Sequence, residues 1–218
     1  MAGIYQVLEG QLFYGAYFIL AAAVLDFLDG FVARLLNAYS EIGKQLDSLA
    51  DMVTFGTLPA FIVFSMLQEI YPESYLPYLA FFIATQSAIR LAKFNIDTRQ
   101  SDRFIGVPTP ANGLLISTLP FMAEEFEWAG NLINNGPFLI GFTLLFALLL
   151  TAELPLIALK FKKFSFKDNK YRYLTLFISL ICLLTMGIAG IPVAIISYVL
   201  LSILENLENR NAATKSPL

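Results

Sequence analysis

The stretch LDFLDGFVARLLNAYSEIGKQLDSLADMVTFGTLPA, residues 25–60, sets four aspartates, Asp26, Asp29, Asp47 and Asp51, into chain that otherwise reads as membrane-buried. An aspartate at the centre of a membrane helix costs about 2.5–3.5 kcal/mol on insertion scales, so four uncompensated ones cost on the order of 10 kcal/mol. Asp26 and Asp29 share a helical face with Gly30, Ala33 and Arg34, and Asp47 and Asp51 share one with Gly43 and Thr54. A tight turn around NAYSE, residues 37–41, brings two such helices together antiparallel and makes the four carboxylates converge. Arg34 and Lys44 are too few to offset four charges. Hard divalent cations suffice, because Mg2+ and Mn2+ take oxygen ligands and no soft ligand is offered. Two such ions sharing bridging carboxylates, about 3.5–4 Å apart, form the clamp used for in-line phosphoryl displacement.

The rest of the chain sets the fold class. Of 218 residues 57% are hydrophobic and 14% charged, which predicts an all-α integral membrane protein, a polytopic helical bundle without a sizeable soluble domain. At about 20 apolar residues per span, the apolar runs give seven transmembrane helices, near 12–36, 43–66, 76–95, 106–123, 136–153, 172–187 and 190–205. GIAGIP at 187–192 fits either a hairpin or a kink. The expected organisation is a membrane domain over 1–160, a carboxy-terminal transmembrane hairpin over 161–205 and a polar, irregular tail over 206–218. A net charge of −3 excludes a nucleic-acid partner. There is no histidine, so catalytic bases and metal ligands must be carboxylates, hydroxyls, amides or backbone; the one cysteine, Cys182, sits in an apolar run and precludes an intrachain disulfide.

MAGIYQVLEGQ has no basic start or cleavage pattern, so the first span is expected to be retained. All fourteen lysines and arginines fall in alternate loops and flanks, while QEIYPES and AEEFEW carry only acids. The positive-inside rule then places the aspartates at the cytoplasmic face of the cell (inner) membrane, with the amino terminus on the far side.

Gly30, Ala33 and Gly43 remove bulk where either a second helix or a diphosphate approaches. Arg34 is either a bidentate phosphate partner or a topological anchor. The same two readings apply to Arg90 and Lys93. A cation transporter would also place acids in a membrane, but here they cluster near one face instead of along a path across the bilayer.

The pattern Asp26-x2-Asp29-Gly30-x2-Ala33-Arg34-x8-Gly43-x3-Asp47-x3-Asp51 resembles the signature of the CDP-alcohol phosphotransferase family, with all eight specified positions filled. That resemblance implies a membrane enzyme in which a hydroxyl displaces CMP from a CDP-linked lipid with the help of two divalent metals, Mg2+ or Mn2+. It implies Asp26, Asp29, Asp47 and Asp51 as metal ligands, and Asp51 also as the base. It implies Gly30, Arg34 and Ser40 as contacts to the CDP moiety, beside the small Ala33 and Gly43. LDSLADMVTFGTLPA at 46–60, IRLAKFN at 89–95 and FIGVPTPANG at 104–113 resemble the membrane-embedded bacterial phosphatidylserine synthases, where phosphatidylglycerophosphate synthases usually show Pro in place of Ser48.

The expected substrates are therefore CDP-diacylglycerol and L-serine, with glycerol 3-phosphate or inositol as alternative acceptors. Arg90, Lys93 and Asn95 are expected to serve the serine carboxylate or the lipid phosphate. Thr109, between Pro108 and Pro110, either lines that pocket or sits at a helix break. The resemblance also implies a homodimer embedded among membrane lipids. It implies one more helix ahead of the first aspartates, where only eleven residues stand, so an amino terminus shortened from an eight-helix plan is expected.

Overall fold

The computed structural model describes residues 1–38, 40–97, 104–158 and 169–215, the last five of these by backbone alone. Arg99, Arg103, Lys160, Lys162, Lys163 and Lys167, assigned above to the cytoplasmic side, lie outside the described residues, as does the 160/161 boundary.

The described chain is helical almost throughout. Its helices are α1 (Ala2–Leu8), α2 (Leu12–Leu35), α3 (Glu41–Asp51), α4 (Leu58–Ile70), α5 (Phe82–Ile96), α6 (Thr109–Ser117), α7 (Leu119–Glu125), α8 (Glu127–Ile133), α9 (Gly136–Thr151), α10 (Lys170–Met186) and α11 (Ile191–Lys215). Two-residue strands β1 (Phe104–Ile105) and β2 (Pro155–Leu156) pair antiparallel, with Phe104 opposite Leu156.

Among the described residues three stretches are long and apolar enough to cross a membrane, 12–35, 41–70 and 170–210, and α8 with α9, bent by 80°, makes a fourth if taken as one span. The last of the three folds back on itself. Lys170 Nζ lies 2.6 Å from Glu208 Oε2, and the Tyr171 hydroxyl donates to the same carboxylate at 2.6 Å. In a straight helix those ends would stand about 57 Å apart. The reversal is a 3-10 turn at Gly187–Gly190, where Gly187 takes φ +53, so GIAGIP closes a hairpin and not a kink.

Seven spans are expected from the sequence, and the structure does not establish that number. The runs near 76–95, 106–123 and 136–153 are a 3-10 turn leading into α5, two short helices parted at Thr118, and the 16-residue α9. The tail also differs from expectation: α11 stays helical to Lys215, beyond residue 205.

The aspartate-bearing stretch 41–70 is a single 30-residue helix, about 45 Å long against a hydrocarbon core of about 30 Å. Its first eleven residues, α3, contain no buried residue. Between α3 and α4 the helix widens into a π segment, Met52–Thr57. Pro59 supplies no N–H and its ring crowds the preceding turn; Thr57 Oγ1 donates to the Met52 carbonyl at 3.1 Å within the widened turn.

At the centre lies α4, apolar around its circumference, with Leu58, Ile62, Val63 and Leu67 buried against α1, α2, α5, α6 and α9. The π segment wedges between α5 and α6. A Cβ on Gly113 would stand 2.9 Å from the Phe55 backbone, so only glycine admits this approach. Gly106, at φ +75, turns the chain out of β1 where a Cβ would strike the Leu150 carbonyl.

Lys44 Nζ donates to the Asn95 carbonyl at 2.9 Å, Arg90 and Lys93 share a cleft with the end of α9, and Arg172 Nε donates to the Ala158 carbonyl at 3.0 Å.

Candidate metal centre and acceptor cleft

The turn that brings the acids together is built from its own residues. Asn37 takes φ +50; its N–H donates to the Arg34 carbonyl at 3.3 Å, and the Ala38 N–H donates to the Ala33 carbonyl at 3.0 Å. This is the Schellman closure of α2, with Asn filling the left-handed position. Two residues later Ser40, in extended conformation, caps α3 by accepting the Gly43 N–H at 3.0 Å. The tight turn expected around NAYSE is therefore present, although Tyr39 itself lies outside the described residues.

Across that turn, carboxylate oxygens of Asp26, Asp29 and Asp47 all lie within 4.8 Å of one another. No lysine or arginine among the described residues forms an ion pair with any of the four aspartates, and Lys44 is directed instead to Asn95. Three converging carboxylates with no counter-ion are a hard-oxygen donor set that fits a divalent metal ion. Asp51 stands outside the trio. It is half-buried at the end of α3, one helical turn after Asp47.

The small residues separate into two roles. A Cβ on Gly43 would stand 2.9 Å from Ser40 Oγ, so its size serves the cap. At Gly30 the nearest neighbour of a Cβ would be Arg34 Nη2 at 4.0 Å, so none of the described helices packs there, and exposed Arg34 lies beside the open space. Ala33 is half-buried on the same helix.

On α5, Asn95 Nδ2 donates to Ser48 Oγ at 2.9 Å and to Gln45 Oε1 at 3.4 Å. It ties α5 to α3 and so helps hold Asp47 and Asp51 in register. Arg90, only 6% exposed, donates from Nη1 to Thr109 Oγ1 at 3.1 Å, and its guanidinium lies 5.3 Å from the centre of the Phe94 ring. Its Nε has no hydrogen-bond partner among the described residues. Arg90 and exposed Lys93 also line a cleft of about 330 Å³ whose other walls include Asp97, Ile105, Leu150 and Glu153.

Among the buried polar residues that escaped the sequence reading are Ser87 and Asn112, whose side chains have no hydrogen-bond partner among the described residues. Each lies one turn along from a partner in the Arg90–Thr109 bond. The signal was a polar side chain at helical spacing from a functional one inside an apolar run. The cleft was also invisible, because β1 and the end of α9 that wall it are far apart in sequence.

Residues 1–154 match the family model described as CDP-alcohol phosphatidyltransferase. A CDP-diacylglycerol–serine O-phosphatidyltransferase of Helicobacter pylori strain J99 is 31% identical over 183 residues, 83% of this chain and 75% of that protein. The Bacillus subtilis strain 168 protein of the same name is 37% identical over 125 residues, 56% of this chain and 68% of the relative. A Saccharomyces cerevisiae protein, also of that name, is 37% identical over 131 residues, 56% of this chain and 45% of the relative.

Proposed function

The chain belongs to the CDP-alcohol phosphatidyltransferase family, and from that premise we propose that it converts CDP-diacylglycerol and L-serine to phosphatidylserine and CMP at the cytoplasmic face of the inner membrane. The observation that carries this reading is the convergence of the Asp26, Asp29 and Asp47 carboxylates within 4.8 Å of one another, one helical turn from Asp51 and without a lysine or arginine ion pair among the described residues. Catalysis is assigned to the membrane domain over residues 1–160.

The serine hydroxyl oxygen forms a bond to the phosphorus that carries diacylglycerol. The bond from that phosphorus to the CMP oxygen breaks, CMP leaves with the electron pair, and the hydroxyl proton passes to Asp51. Asp26, Asp29 and Asp47, with Asp51 at the margin, would hold two Mg2+ or Mn2+ ions. Such ions supply charge neutralisation to the diphosphate and the departing CMP. The open side of α2 at Gly30, with Ala33 and Arg34, receives the CDP moiety; Ser40 and Gly43 shape the turn beneath it. Arg90, held by Thr109, and Lys93 take the serine carboxylate, while Asn95 positions α3.

CMP release with an acceptor panel tests the function. Serine is expected to support release, glycerol 3-phosphate and inositol are not, and excess chelator is expected to stop it. Undiminished release in chelator, or preference for glycerol 3-phosphate, would sink the reading. Release with no acceptor dependence would point away from transfer altogether.

Arg90→Lys keeps the charge but loses the planar two-donor fork. The serine KM is expected to rise more than about tenfold, equivalent to about 1.4 kcal/mol, within the range of a charge-assisted hydrogen bond. The KM for CDP-diacylglycerol should move far less. A rise confined to the lipid KM would reassign Arg90 to the lipid phosphate.

For orientation, a cysteine replacing Glu73 is expected to react with an impermeant thiol reagent in intact cells, and one replacing Glu41 to be protected. The native Cys182 is buried and adds little background. The opposite labelling pattern would place the acids on the outer face.

A further inference from the structure

Behind the cleft, the chain at 154–158 is pinned from two sides. On one side Phe104 and Ile105 pair with Leu156 and Pro155, and the Gly106 and Val107 N–H groups donate to the Leu154 and Leu149 carbonyls at 2.9 Å. On the other side stands the α10–α11 hairpin. The Tyr198 hydroxyl donates to the Ile157 carbonyl at 2.9 Å, the Ile157 N–H donates to Ser202 Oγ at 3.2 Å, and the Asn206 amide donates to the Pro155 carbonyl. From α10, Arg172 Nε donates to the Ala158 carbonyl at 3.0 Å. Tyr198, Ser202 and Asn206 recur every four residues, so one face of α11 holds the backbone of a single short segment. Val199 joins them, buried in a cluster with Val107 and Leu156.

These contacts continue to the acceptor side of the site. A pair of two-residue strands has too few hydrogen bonds to hold its own register, so the bonds from the hairpin hold β2 in place, and β2 holds β1. Ile105 of β1 walls the cleft. Thr109 follows Val107 by two residues, with Pro108 between them, whose ring fixes φ and so passes a displacement on instead of absorbing it. Thr109 Oγ1 accepts the bond from Arg90 Nη1 at 3.1 Å. We infer that Tyr198 and Ser202 are positioning residues for the acceptor: through the 154–158 segment and β1 they set the place of Thr109, and through Thr109 the direction of the Arg90 guanidinium. The match to the family model ends at residue 154, so this role falls in the part of the chain to which the family assignment gives none. The inference rests on the serine-transfer reading and adds to it the origin of the Arg90 geometry.

The test is a double-mutant cycle with Arg90→Lys. Tyr198→Phe keeps the ring and loses one hydrogen bond; Ser202→Ala loses the acceptor of the Ile157 N–H. Each is expected to raise the serine KM about three- to tenfold, the range of a single hydrogen bond, and to leave the KM for CDP-diacylglycerol within about twofold, a split that general loosening of the fold would not produce. In an Arg90→Lys background the same substitutions should change the serine KM by less than about twofold, because the guanidinium they orient is gone. Amide exchange supplies a readout without substrate: in Tyr198→Phe the Gly106 and Val107 N–H groups should exchange about threefold faster or more.

Serine KM values unmoved in both variants overturn the inference. So does a full multiplicative effect in the Arg90→Lys background, which would mean that the hairpin acts independently of Arg90. A rise of both KM values in step marks general loosening and overturns it equally. Unchanged exchange at Gly106 and Val107 in Tyr198→Phe breaks the series of contacts at its first link. If Ser202→Ala does not fold, Tyr198→Phe decides alone. In each of these cases serine-dependent CMP release from the unaltered protein leaves the serine reading standing; its absence defeats that reading, and this inference with it.

Discussion

Asp47→Asn is expected to lower kcat/KM for CMP release by about a thousandfold or more, equivalent to about 4 kcal/mol. The substitution keeps the shape of the side chain but removes one charge from three carboxylates whose oxygens lie within 4.8 Å of one another. Two carboxylates hold a hard divalent ion far less well than three. Thermal unfolding gives an independent readout with a definite sign. Without metal, the substitution relieves like-charge repulsion, so the melting temperature should hold or rise. With metal, the native protein gains stability through binding, and the variant should gain much less. A variant stabilised by Mn2+ as strongly as the native protein, with undiminished turnover, would remove Asp47 from the metal centre. Asp26→Asn should behave alike, because Asp26 belongs to the same trio.

Asp51→Asn is expected to cut turnover by about a hundredfold to ten-thousandfold, the usual contribution of a positioned general base, while retaining most CDP-lipid binding. The geometry predicts this contrast. Asp51 lies outside the trio and is half-buried, so its loss leaves three carboxylates in place. Calorimetric titration of each variant with Mn2+ and then with CDP-lipid separates the two effects. Turnover close to the native rate in Asp51→Asn would exclude it as the base. Loss of metal binding as severe as in Asp47→Asn would make it a ligand of equal standing with the trio.

Much of this was legible in the residues themselves. Four acids at spacings of three and four, on either side of a short polar stretch, define two helical faces and a reversal between them, because the 3.6-residue period relates spacing directly to direction. The turn at NAYSE was equally legible, since Asn accepts the left-handed position that ends α2 and Ser accepts the cap that begins α3. Apolar runs located much of the helical chain, though not its division into seven spans, and the family signature came from the eight positions around the acids. Spacing alone treats all four acids alike; the family resemblance set Asp51 apart as the base, and the structure leaves it outside the group of three whose oxygens lie within 4.8 Å.

What the sequence by itself determined was the local chemistry: an all-helical membrane chain, a turn that must bring carboxylates together, and the type of ion such oxygens bind. Tertiary structure decided the rest. It folded 170–210 into a hairpin joined at Glu208, let the π segment wedge between α5 and α6 where Gly113 lacks a Cβ, and assembled a cleft from α5, β1 and the end of α9. These features depend on contacts between segments tens of residues apart. Such contacts are set by the close packing of whole helices, in which one missing Cβ or one capped end determines the fit, and no local period in the sequence encodes them.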